Sequence, residues 1–391
     1  MSLLPLEEAQ KRLLALASRM PSETVPIEQS LGRVLASDLA AARTQPPADL
    51  SAMDGYAIAG EGPWKLVGES RAGSPFDGAL DAGQATRIST GAHMPNGATS
   101  VLIQENALVA DGVVSTDEPP AAGRHVRKRG FDFDAGETVL TAGTRIGAAQ
   151  IALAMAAGHG SVEVSRKPTI AILDSGDELA ADPAQCAPDQ IPASNGAMIA
   201  AMLAPLVGET MRLGPVADDL DALANALAKA ETADILIASG GASMGDHDLI
   251  QPALEKWGAK LAFWKVAIKP GKPLMVATRG NQVVIGLPGN PVSSFVTGYL
   301  FALPLVRAAL GMQHCYPAKV TMQAGEELPA IGPRQEFVRG VSDGTKVRPA
   351  HSQDSSALRA LASADCLIVR PSGAGKVAIG EPVEVIHLNN G

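Results

Sequence analysis

Three glycine-rich stretches carry the side chains best suited to chemistry: Leu173-Asp174-Ser175-Gly176-Asp177-Glu178, Ser239-Gly240-Gly241-Ala242-Ser243-Met244-Gly245-Asp246 and Gly286-Leu287-Pro288-Gly289-Asn290-Pro291. Each follows a short apolar run that reads as a strand. Glycine lets backbone N–H groups close on a ligand, and Ser, Asp or Asn beside it can cap a helix or bind that ligand. At the carboxyl ends of parallel strands such loops face one crevice, where helix N-termini attract anions. One Gly-Gly alone is more often a tight turn. Three such loops in one predicted sheet point instead to a phosphorylated small molecule. No Lys-Ser or Lys-Thr follows the glycines as a Walker A loop requires, and there is no G-x-G-x-x-G, so nucleotide hydrolysis and nicotinamide chemistry lose ground.

Lys265, Lys269 and Lys272 crowd the segment before the strand at Leu274, with Pro270 and Pro273 restricting the backbone. Fixed ammonium groups there would neutralise phosphate or a tetrahedral oxyanion; a solvated basic loop explains them equally well. Acidic residues gather in the same region at Asp177, Glu178, Asp218, Asp219, Asp246 and Asp248. Carboxylates beside phosphate suit Mg²⁺, a hard cation that takes one or two protein oxygens, although Asp218 and Asp219 could simply cap the next helix. Two N-terminal stretches, 46–57 and 88–98, lack the periodicity of core and read as turns or ordered functional loops.

The elements that must position these residues follow from periodicity. Leu6, Leu13, Leu14 and Ala17 predict a helix ending before Pro21. From Glu23 to Val139, short β-branched runs between Pro and Gly suggest a mainly β region. An Ala-rich helix at 147–157 and a strand at 161–164 lead on to alternating strands and helices between Pro168 and Gly311: strands at 169–173, 235–238, 274–277 and 283–285, helices at 194–206, 218–230, 248–257 and 291–310. That alternation predicts βαβ units, a parallel sheet and a helix layer on each face. After Gly311, runs such as 319–322 and 382–386 suggest a small β domain.

The 391 residues exceed one ordinary core, and 46% hydrophobic with 19% charged residues fits folded domains. With 41 acidic and 32 basic residues the net charge is −9, which gives no general attraction for nucleic acid or an anionic membrane. The one dense basic run, 124–129, is short and lies beside acidic residues, so it reads as a solvated loop. Cys186, Cys315 and Cys366 are too scattered for a metal set and read as free thiols. The apolar runs at 198–207 and 295–306 fall short of a membrane span, and the N-terminus does not resemble a signal peptide, so a soluble cytoplasmic protein is expected.

Together, SAMDGYA (51–57), STGAHMPNGA (89–98), DSGDEL (174–179), SGGASMGDHD (239–248), KVAIKPGKP (265–273) and GLPGNPVS (286–293) resemble the molybdopterin molybdenumtransferase family, which includes a domain of gephyrin. The likeness runs the length of the chain. It implies a multidomain α/β plus β protein. A linking region would comprise residues 1–44 and 141–166, a mainly β domain 45–140, a three-layer molybdopterin-binding α/β domain with a parallel sheet 167–312, and a β-barrel-like C-terminal domain 313–391. The implied activity is insertion of molybdate at the dithiolene of adenylylated molybdopterin, with Mg²⁺, releasing AMP. A homodimer is implied as well, and a contact with the adenylyltransferase that makes the substrate. The same resemblance gives functional positions to Asp54, Thr90, Glu178, Asp218, Asp248, Lys265, Lys269 and Ser355, with Mg²⁺ at Glu178 and Asp248. Ser175, Gly176, Asp177, Asn195, Ser239, Gly240, Gly241, Ser243, Gly245, Pro288, Gly289, Asn290 and Pro291 would hold the pterin substrate. Departures occur at Ala48 and Leu50, where Phe and Asn are common, at Asp174-Ser175 in place of Ser-Thr, and at Phe131, which also puts Asp132 in question. The rival readings are the related adenylyltransferase, which shares the strand-loop-helix plan and an SGG loop, and a non-catalytic gephyrin-like scaffold.

Overall fold

The computed structural model describes residues 3–240 and 249–388. Its central sheet runs in the order Glu209–Val216, Thr169–Ser175, Ile235–Ser239, Gln282–Leu287, Met275–Arg279, Lys260–Trp264. The first four strands are parallel; Met275–Arg279 pairs antiparallel with both of its neighbours. The sheet is therefore mixed where an all-parallel one was expected. The reason is local: only Gly280 and Asn281 separate Met275–Arg279 from Gln282–Leu287, and a two-residue turn can join only antiparallel strands. Two strands escaped the sequence reading, Glu209–Val216 and Lys260–Trp264, both at sheet edges and carrying polar, Gly or Pro residues.

Alternation along the strands builds two cores. Ile170, Ile172, Ile235, Ile237, Val283 and Ile285 point to one face and pack with helices Leu6–Ala15, Ser194–Leu203 and the 291–310 segment. Ala171, Leu173, Leu236, Ala238 and Val284 point to the other, against Leu220–Lys229 and Ile250–Lys256. This period-two pattern in strands buried on both faces is what a three-layer α/β unit demands.

Helix Pro291–Leu310 has the expected bounds, is 20 residues long and is apolar enough by composition to span a bilayer, yet 89% of its most apolar window is buried inside the protein. It is the core helix. Pro304 cannot donate to Leu300, and the side-chain amide of Gln10 supplies that carbonyl instead, at 2.8 Å. Gly298 permits close packing on the neighbouring helix, since a Cβ there would lie 2.5 Å from Ile199 Cδ1.

The first helix, Leu6–Ala15, ends earlier than its apolar spacing predicted. The chain then forms a six-stranded sheet between residues 55 and 115 and returns through Ser161–Ser165, which pairs antiparallel with Ser22–Pro26. At the C-terminus five strands close into a small barrel, because Gln335–Ser342 pairs with Cys366–Arg370 as well as with Lys346–Pro349. Ile268–Lys269 adds a parallel strand to that barrel from within the lysine segment. The three cysteines are free.

Candidate active site

Asp174 pairs with Ser239 and Ser239 with Leu287, so three parallel strands reach the same level before their loops begin. Register alone therefore gathers the first and third loops and the start of the middle one around one cavity of about 700 Å³. Asp174, Ser175, Ser239 and Gly240 form its floor. Leu179, Ile191, Pro192 and Asn195 make one wall, and Pro273 with Pro288–Pro291 and Ser293 the other. Ser356 and Leu358 from the C-terminal region complete the rim. The floor admits only glycine at 240: φ is +94°, and a Cβ would lie 2.6 Å from the Ser175 carbonyl oxygen.

Several polar groups of the described loop residues are already bonded. Ser175 Oγ donates to Asp218 Oδ1 at 2.9 Å, and Asp177 Oδ1 accepts from Asp218 N at 3.1 Å. Asp219 caps helix Leu220–Lys229, accepting from Asp221 N and Ala222 N. Asn195 Nδ2 donates to the Gly289 carbonyl at 2.6 Å, tying one wall to the other. Asn290 Nδ2 donates to Ser355 Oγ at 3.0 Å, and Ser355 O accepts from Val292 N, which fixes Ser355 at the end of the third loop. Glu178 differs: it lines the cavity, is exposed, and its carboxylate has no partner among the described residues.

The first loop does not open a helix directly. Two short paired strands, Leu179–Ala180 and Ile191–Pro192, intervene before helix Ser194–Leu203. That helix presents Gly196 N to Asp174 Oδ1 at 3.0 Å, while Asp174 Oδ2 meets Arg212 Nη2 at 2.7 Å. The Asp174 side chain is only 2% exposed. Burial pushes its carboxyl above the usual carboxylate range, against the opposing pull of Arg212 and of the Gly196 N–H. Sequence reasoning met Asp174 as a departure but did not assign it to the site, and it missed Arg212 and the apolar wall of Leu179, Ile191 and Pro192. An Asp where the resembling family commonly has Ser was the one available signal.

Other expected residues are not in the cavity lining. Lys265 adopts φ +66°, unusual for a side chain of its kind, and is held by backbone bonds to Leu274 and Leu4; its Nζ lies 4.3 Å above the Trp264 ring. Lys269 Nζ is paired with Glu336 at 3.1 Å, and Lys272 is exposed. Asp54 and Thr90 are exposed in the N-terminal β region, where Thr90 N donates to Asp54 Oδ1 at 2.6 Å. The Thr90 backbone N–H and hydroxyl hold the Asp54 carboxyl below its usual range. Gly241, Ser243, Gly245 and Asp248 lie outside the described residues, as does Asp246. Among the described residues no group of three or more His, Cys, Asp or Glu could hold a metal by itself.

Comparison with known proteins places this geometry. Residues 4–158 match the MoeA N-terminal region (domain I and II), residues 171–308 the probable molybdopterin binding domain, and residues 321–388 the MoeA C-terminal region (domain IV). A molybdopterin molybdenumtransferase of Nostoc sp. is 35% identical over 395 residues, covering 95% of this chain and 90% of that protein. The protein of the same name from Haemophilus influenzae is 31% identical over 406 residues, with 99% of each covered. A crystal structure of the molybdopterin biosynthesis moeA protein from Pyrococcus horikoshii OT3 superposes with a TM-score of 0.87 at 27% identity, covering 99% of this chain and 100% of that one.

Proposed function

The chain belongs to the molybdopterin molybdenumtransferase family, and from that premise we propose that it inserts molybdenum into molybdopterin at the cavity beyond strands Thr169–Ser175, Ile235–Ser239 and Gln282–Leu287. The substrates are adenylylated molybdopterin and molybdate, and AMP leaves. The carrying observation is the in-register convergence of three strand ends, Asp174, Ser239 and Leu287, on one cavity of about 700 Å³, a size suited to a fused ring bearing phosphate.

The cavity offers two kinds of surface. Leu179, Ile191, Pro192 and Leu358 give an apolar wall for a flat heterocycle, and the Ser239–Gly240 and Gly289–Asn290 loops carry backbone and hydroxyl groups for the charged end. Molybdate is a dianion and the adenylate carries two phosphates, so cations must offset the charge; Lys265 and Lys269 take that role in this reading. Mg²⁺ fits the donor set, because the unpartnered Glu178 carboxylate is a hard oxygen ligand; Glu178 with Asp248 would hold it, and it would neutralise charge on the phosphoanhydride. Asp218, locked to Ser175, keeps the first loop in place, and Ser355 does the same for the third through Asn290.

Asp54 and Thr90 then act from the β region of a second subunit in a homodimer, which supplies them to a cavity whose lining in one chain lacks both. The adenylyltransferase that makes the substrate delivers it to this protein. The chain divides, in the same reading, into the linking region 1–44 with 141–166, the β domain 45–140, the α/β domain 167–312 and the barrel domain 313–391.

Incubation of the purified protein with the adenylate, Mg²⁺ and molybdate should yield AMP and metal-loaded pterin. Formation of the adenylate from ATP and molybdopterin would favour the adenylyltransferase, and binding of the adenylate without AMP release would favour a scaffold.

A further inference from the structure

Helix Ser194–Leu203 begins after Ala193, whose side chain makes no capping bond, so its first N–H groups need acceptors from elsewhere. Such a helix start, facing the crevice of a parallel sheet with an arginine beside it, is an ordinary seat for phosphate. In this chain the seat is taken. Asp174 Oδ1 accepts from Gly196 N at 3.0 Å, and Asp174 Oδ2 binds Arg212 Nη2 at 2.7 Å. The carboxylate comes so close that a Cβ at residue 196 would lie 2.2 Å from Asp174 Oδ2, so only glycine admits it there. The Asp174 backbone is closely packed as well: Gly214, at φ +119°, lets the neighbouring strand pass where a Cβ would lie 2.3 Å from the Asp174 carbonyl oxygen. The plug is thus a built feature of the cavity floor, 2% exposed and held on both oxygens.

We propose that Asp174 is a specificity-determining residue that works by exclusion. It occupies the start of helix Ser194–Leu203 and neutralises Arg212, barring phosphate from that end of the cavity. The ligand is thereby oriented with its ring system along Leu179, Ile191 and Pro192, next to the plugged helix, and its anionic end toward Gly240 and Gly289–Asn290. The orientation rests on the proposed adenylylated pterin substrate; the plug does not.

The test uses inorganic phosphate as probe and the full-length protein, with Asp174→Ser, Asp174→Asn and Asp174→Ser/Arg212→Gln. Serine vacates the helix start and releases Arg212, so calorimetric titration should show phosphate bound about 10-fold more tightly than by the parent protein, a gain typical of a helix-terminus charge effect. Asparagine still offers an oxygen to Gly196 but releases Arg212, so its gain should be smaller, and the double variant should lose most of it. With the adenylate as substrate, Asp174→Ser should lower kcat and KM by the same factor, because a reversed, unreactive binding mode sequesters enzyme while kcat/KM stays constant. A purely structural role would instead lower kcat/KM and leave phosphate affinity alone. Unchanged phosphate affinity in folded Asp174→Ser overturns the proposal; should that variant not fold, the near-isosteric Asp174→Asn decides in the same way. The phosphate titration contains no pterin, so failure of the parent protein to turn over the adenylate would sink the functional reading and leave the plug standing.

Discussion

Asp54 precedes a glycine just before strand Gly55–Ala59 and Asp174 sits near the end of strand Thr169–Ser175, and the chain treats these two carboxylates in opposite ways. Asp174 is buried, bonded on both oxygens, and pushed up in pKa by burial. Asp54 is exposed, takes its bonds from Thr90, and is held low by them. The α/β crevice is closed upon itself: Ser175, Asp177, Asn195 and Asn290 all bond to neighbouring loops. The N-terminal β region favours the ionised form of its Asp54 carboxylate at the surface. One region bonds its polar groups loop to loop, and the other holds a carboxylate that does not line the cavity.

The contrast breaks most severely at Glu178, the cavity carboxylate without a partner among the described residues. Glu178→Ala should reduce AMP release by about 10³-fold, the scale of losing an electrostatic element of a phosphoryl-transfer site, with an unchanged melting temperature, measured by quenched-flow chromatography and calorimetry. Asp54→Ala should cost about 10²-fold if it acts across a dimer. Mixing the two inactive proteins would then restore about a quarter of parental turnover, since a hybrid dimer holds one intact site. No recovery on mixing, with heterodimers verified, would remove Asp54 from the composite site.

Backbone changes sharpen the comparison on the crevice side. Gly240→Ala should destabilise the α/β region by about 2 kcal/mol in denaturant titration, because φ +94° and the Ser175 carbonyl both oppose a Cβ. Gly73, in the N-terminal region, has a positive φ but nothing within 4 Å of the position its Cβ would take, so its Ala variant should cost less.

The smallest effect is one of sign. Asp174 has a raised carboxyl pKa, so it binds more protons folded than unfolded between its unfolded and folded values. Its contribution to stability is fully present below the unfolded pKa and is lost as pH rises through the folded one. Asp49, bonded by Lys128 and Arg129, is lowered, so its contribution is present above the ordinary carboxylate range and is lost as pH falls through its folded pKa. The stability gap between parent and Asp174→Asn should therefore shift in the parent's favour on acidification, and the gap to Asp49→Asn against it. Parallel slopes would contradict the assignment of both groups.

Much of this was legible in the sequence for physical reasons. Ile235–Ser239 reads as a buried strand because every residue before the serine is apolar, and its loop reads as a ligand loop because its glycines follow at once. Glu209–Val216 was missed because Arg212, Gly214 and Pro215 break the apolar run, although the strand needs only one paired edge. The Asp174–Gly196 contact joins residues 22 apart across two short strands, and no local pattern encodes it. Lys269 looked like a ligand cation, but its partner Glu336 arrives from the C-terminal barrel, 67 residues on. Periodicity gives elements; pairings between distant loops come only with the fold.

The central claim is that the crevice beyond the parallel strands performs metal insertion. Its most direct test is a single-turnover reaction of the adenylate with Mg²⁺ and molybdate, following AMP and pterin-bound molybdenum together in the parent protein and in Glu178→Ala. The account predicts equal amounts of both products from the parent, appearing together and only when molybdate is present, and both about 10³-fold more slowly from the variant. Undiminished turnover by Glu178→Ala, or AMP released without molybdenum bound to the pterin, would contradict it.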